Sequence, residues 1–149
     1  MLSIKTPQDI LKYMDNIEYG YVDLLGEKHI NSLKGFRTNY RTLNIEQILK
    51  YKVGTCIEQV LLMHYLLDNL NIPNKMFCTR IYESGEIDAD QDEHMHCFVL
   101  YYDDKGVHQI EHPNGDRKGI YDFKDEKTAI EEINKITHKG KKYQIVFFD

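Results

Sequence analysis

The sequence predicts an α+β domain in which an apolar central helix packs on an antiparallel β-sheet, and three observations carry that expectation. A helix-period apolar stretch from about 56 to 70 ends before Pro73, and strand-period segments follow it. Two apolar runs, 94–102 and 107–111, flank Asp103-Asp104-Lys105-Gly106, which is a strong hairpin signal. The chain has 149 residues, 42% hydrophobic and 29% charged, which is room for one core and little for a second. The whole chain, 1–149, therefore reads as a single domain, with no internal repeat, low-complexity tract or linker.

Taken in order, Thr6, Pro7 and Asp9 form an N-cap, a first-turn proline and a capping-box acid, and Ile10, Leu11, Met14 and Ile17 follow at helical spacing. Residues 18–42 are irregular and read as loops and short strands. A short helix fits 44–51, capped by Asn44 with Gln47 at the box position and with Ile45, Ile48 and Leu49 inward. Gly54 breaks the chain, and the central helix follows with Val60, Leu61, Leu62, Tyr65, Leu66 and Leu70 as a broad apolar face. Residues 75–82 alternate as a strand. The segment 83–93 holds six acids and one glycine and reads as a solvated loop. Asp125 caps a last helix with Ala129, Ile130, Ile133 and Ile136 inside, Gly140 ends it, and 142–148 is a final strand.

Composition narrows the function. A net charge of -5, with scattered Lys and Arg, argues against a nucleic-acid partner. No stretch approaches a membrane span and the N-terminus lacks a secretion signal. Three cysteines, Cys56, Cys78 and Cys97, are an odd number. Without a secretion signal they suggest reduced thiols in the cytoplasm. Cys78 and Cys97, both within strands, read as small core residues.

Gly54-Thr55-Cys56 places a thiol at the first turn of the central helix. The helix dipole and the unpaired N–H groups there favour the thiolate, and the same amides suit an oxyanion. An isolated cysteine at such a place is more often simply buried. A nucleophile also needs an imidazole, and that imidazole needs an orienting partner. His96 opens the hairpin on the side of Phe98 and Leu100. If Tyr102 pairs with Val107, Glu111 falls diagonal to His96; if Gly106 forms a bulge, His112 takes that place. Glu111 is favoured because a carboxylate stabilises the imidazolium and fixes the tautomer. Singly, each of these residues has an ordinary structural reading; the order Cys, His, acid is what points to chemistry.

The stretch NIEQILKYKVGTCIEQVLLMHYLLDNLNIPNKMFCTR and the run HCFVLYYDDKGVHQIEHP resemble the core of the transglutaminase-like superfamily, a papain-like thiol fold, over roughly residues 40 to 120. The resemblance implies Cys56 as nucleophile, His96 as general base and acid, and Glu111 as third member. It implies acyl transfer or hydrolysis through a thioester on a peptide or amide-bearing substrate, protein included, with no cofactor. The usual third member is Asp just before Pro; here Glu111-His112-Pro113 leaves Glu111 and His112 as alternatives. Thr55, Tyr51 and Phe98 are candidates for the oxyanion site and cleft, and the 83–93 segment lies where a substrate-contacting loop would sit.

Two rivals stand beside this reading. A metal site would draw on His94, His96, His108, His112, Cys97 or Glu111, but the usual close ligand spacings are absent and no metal is expected. A non-catalytic binding module on the same fold would use Tyr51, Tyr101, Tyr102 and Tyr121 as a recognition cleft. Arg37 and Arg41 are candidates for holding a carboxylate or phosphate, or for ordinary ion pairs with the surplus acids.

Overall fold

The computed structural model describes residues 3–81, 95–137 and 143–148. The acidic segment 83–93, His94 and Gly140 lie outside the described residues. The described chain is mixed α and β, with a three-stranded and a five-stranded sheet, and none of its helices is long and apolar enough to cross a membrane.

Helix α1 (Pro7–Tyr13) starts as its sequence demands: the Thr6 hydroxyl accepts the Asp9 N–H at 3.2 Å and the Asp9 carboxylate accepts the Thr6 N–H at 3.1 Å. Strand β1 (Glu18–Val22) pairs antiparallel with β2 (Lys28–Ile30), and a single helical turn, α2 (Phe36–Asn39), follows. Helix α3 (Ile45–Tyr51) carries a second reciprocal cap, Asn44 with Gln47. Strand β3 (Val53–Gly54) runs parallel to β1 and delivers the chain to α4 (Cys56–Asn69). Then come β4 (Asn74–Ile81), β5 (Met95–Asp103), β6 (Gly106–Glu111), β7 (Gly119–Phe123), α5 (Glu126–Thr137) and β8 (Tyr143–Phe148). The larger sheet has the order β7-β6-β5-β4-β8 and is antiparallel throughout.

Both faces of this sheet are covered. On one, Met76, Cys78, Cys97, Val99 and Ile110 share a core with Ile10 and Met14 and with Leu62, Met63 and Leu67 of α4. On the other, Phe77, Phe98, Leu100 and Val107 pack on Ala129 and Ile133 of α5. Burial on two sides explains why the middle of β5, residues 97–100, is a continuous apolar run. Leu62, Met63 and Leu67 have no exposed surface, so truncating one to alanine would cost about 2–5 kcal/mol.

Several expectations are corrected. Tyr65 is 43% exposed: two residues from both Met63 and Leu67, it lies roughly 160° round α4 from that seam. Leu49 sits at the margin of the α3 stripe and Ile136 in the last turn of α5, and both are exposed. Neither β3 nor β7 was foreseen. Cys78 and Cys97 are more than small core residues. They are register partners across β4 and β5 with Cα atoms 4.2 Å apart, and their sulfurs are joined as a disulfide. The inference from three reduced thiols to a reducing compartment therefore loses its support.

Candidate active site

The start of α4 is fixed from several directions. Gly54 permits a close approach, because an added Cβ there would stand 2.6 Å from the Glu58 Cβ. Glu58, the N3 residue, reaches back to accept the Thr55 N–H at 2.9 Å and the Thr55 hydroxyl at 2.5 Å. Its second oxygen accepts the Tyr40 hydroxyl. Burial, reinforced by the Glu58 charge, holds the Tyr40 hydroxyl far above its ordinary pKa, so it stays a protonated donor. Gln59 donates to the Gly54 carbonyl at 3.0 Å. These bonds hold the half-buried Cys56 at the first position of the helix.

Cys56 lines a cavity of about 430 Å³, together with Thr55, His96 and Asn114. His96 is buried on β5, and its ring stacks on Phe98 with centroids 5.7 Å apart. The hairpin register is Tyr102 opposite Val107 and Val99 opposite Ile110, with Asp103 opposite Gly106 closing a two-residue turn at Asp104-Lys105. That register leaves Glu111 on the His96 side, its Oε1 3.6 Å from His96 Nε2: ion-pair distance, beyond a direct hydrogen bond. Glu111 is 2% exposed. Burial pushes its carboxyl up to about 7, against the opposing pull of the Asn114 N–H, the Arg117 charge and the Gln109 amide.

The other candidates are distributed elsewhere. His112 turns to the α4 side, where Nδ1 donates to Gln59 Oε1 at 2.6 Å and Nε2 faces Asp15 at 3.1 Å; burial lowers its pKa. Its position ties β6 to α4 and α1's end. His108 lies far along β6 between Asp103 (2.8 Å) and Asp122 (2.6 Å). Burial opposes charge on its ring, but the two carboxylates outweigh it and raise the pKa. Among the described residues no three ligating side chains converge as a metal site would require. Phe98 lies under the His96 ring and stacks on Phe77 rather than lining the cavity, and Tyr51 packs against the core from α3.

Tyr101, Tyr102 and Tyr121 do not line this cavity either: Tyr102 donates to Glu126 and Tyr121 to the Arg117 carbonyl. Arg41 does not line it, and the Arg37 side chain lies outside the described residues. The residues sequence reasoning missed are Glu58, Asn114 and a wall of Tyr19, Leu33, Phe36, Tyr40, Ile57 and Pro113. Glu58 had a signal, Thr55-x-x-Glu58 being a capping box in plain view; the wall had none.

No protein-family model matches this chain, and no curated protein is significantly similar to it.

Proposed function

We propose that the chain is a papain/transglutaminase-like thiol enzyme that transfers or hydrolyses acyl groups through Cys56. The observation that carries this reading is that Cys56, at the first turn of α4, and His96 line one cavity, with the buried Glu111 carboxyl 3.6 Å from the imidazole. In this reading His96 takes the Cys56 proton and the thiolate attacks the carbonyl carbon of an amide or ester. The oxyanion so formed is held in part by the N–H of Cys56, the first residue of α4. Collapse expels the amine or alcohol, which receives the proton from the imidazolium, and leaves a thioester on Sγ. Water or an amine, deprotonated by His96, then attacks the thioester and the thiol is restored. Above its raised pKa of about 7, Glu111 is ionised and balances the charge of the imidazolium 3.6 Å away. Protons balance over the cycle and no redox partner or cofactor enters it.

A binding module on the same scaffold is favoured by one feature. His96 shares its face of β5 with Phe98, which packs toward α5, whereas its neighbour Cys97 packs toward α4. The pH dependence of Cys56 alkylation, resolved by mass spectrometry, separates the two readings. Rapid labelling well below the ordinary thiol pKa of ~8.5, lost in His96→Ala, is expected of an activated pair. Slow labelling unchanged by that substitution refutes the catalytic reading.

A further inference from the structure

The cavity at Cys56 is lined mostly by apolar residues, with a cluster of polar ones at one place. Thr55, Cys56, His96 and Asn114 gather where α4 and β5 begin and just past the end of β6. The rest of the described lining is Leu33, Phe36, Ile57, Cys97 and Pro113 with Tyr19 and Tyr40. Among the described residues that line it there is no Lys, Arg, Asp or Glu. The Tyr40 hydroxyl, a group able to read a polar substrate, is already committed to Glu58. A site of about 430 Å³ walled this way falls in the size range of small-molecule pockets, and its few polar groups fix orientation while its walls select by apolar burial. A charged acyl chain packed against these apolar walls would lose its hydration, and no Lys, Arg, Asp or Glu of the described lining would replace it.

We infer that the acyl group delivered to Cys56 is uncharged and apolar, a medium-length aliphatic or an aryl acyl chain. The inference rests on Cys56 being the nucleophile and names the substrate class of that site. Leu33 and Phe36 of the α2 region and Ile57 of α4 take the chain, while the carbonyl lies at the polar end beside Sγ and the Cys56 N–H.

The test is the rate of Cys56 acylation by a series of p-nitrophenyl esters: acetate, butanoate, hexanoate and octanoate, with the charged monosuccinate and 6-aminohexanoate esters. Nitrophenolate release and intact mass are followed together, and iodoacetamide labelling of Cys56 reports thiol activation separately. The expected gain is about fourfold for each methylene buried, so about fifteenfold from butanoate to hexanoate. The succinate ester is expected to react at least tenfold more slowly than butanoate. In Leu33→Asp the octanoate advantage is expected to shrink and the 6-aminohexanoate ester to gain, a result no unfolded variant would give. Acylation of Cys56 at a rate independent of chain length, or fastest with the charged esters, overturns the inference and leaves the nucleophile standing. Failure of every ester to acylate Cys56, with unactivated iodoacetamide labelling, overturns both.

Discussion

Glu111→Gln separates what the buried carboxylate costs from what it does. The Glu111 carboxyl ionises near 7 in the folded protein, against an ordinary value of 4.5. Between those values the folded state holds a proton that the unfolded chain has released. Stability is therefore greatest below the unfolded value and falls as pH rises through the folded one, leaving a constant penalty above it. The displacement corresponds to about 3 kcal/mol in all, most of which develops between pH 5 and pH 8. Glutamine cannot ionise. The difference in unfolding free energy between Glu111→Gln and wild type is thus expected to move in the mutant's favour from pH 5 to pH 8. Comparing two pH values cancels whatever the mutant loses at Gln109 and Asn114 regardless of pH. Urea denaturation at both pH values measures it directly. Thermal melts should show the gap between the two proteins widening by roughly 5–10 °C, at about 2–4 °C per kcal/mol for a chain of this size. Cys56 alkylation in the same mutant is expected to lose its dependence on a group titrating near 7. Stability profiles that run parallel from pH 5 to pH 8 would show that Glu111 is not held neutral by burial.

Three further outcomes are expected. Gly54→Ala should destabilise the fold by about 1–3 kcal/mol in urea, because the new methyl meets the Glu58 Cβ at 2.6 Å. Gly115→Ala, where nothing lies within 4 Å, should stay within about 0.5 kcal/mol. Thiol titration of the denatured chain should find one thiol before reduction and three after, with Cys56 the first to be mapped. Three thiols before reduction would remove the Cys78–Cys97 bond. Tyr40→Phe should cost about 1.5–3 kcal/mol by taking a donor from the buried Glu58 carboxylate, as chemical denaturation would show.

What could be read from the sequence was local or periodic. The caps at Thr6–Asp9 and Asn44–Gln47 are reciprocal bonds within four residues, and Gly54 before Thr55-Cys56 marks the start of α4 because only a residue without a side chain fits against Glu58. The turn between β5 and β6 narrowed the register to two; the structure has Tyr102 opposite Val107, which puts Glu111 on the His96 side and His112 on the other. What could not be read depends on distant pairings. The β4–β5 register sets Cys78 opposite Cys97, and no short turn fixes it. Leu33, Phe36 and Tyr40 come from an irregular stretch whose seat against α4 is decided by tertiary packing, so the cavity wall had no periodic signature. Strand β3 is two residues long, too short for any pattern to declare it.

The order in which the site's parts occur along the chain has a consequence during synthesis. Cys56 and the helix that presents it are made first; His96 and then Glu111 follow on strands that need β4 and each other before they form. At about 5–20 residues per second, several seconds of translation separate the thiol from its acid. A nascent or truncated chain thus carries the sulfur without the imidazole, and the site comes into existence only with the completed sheet.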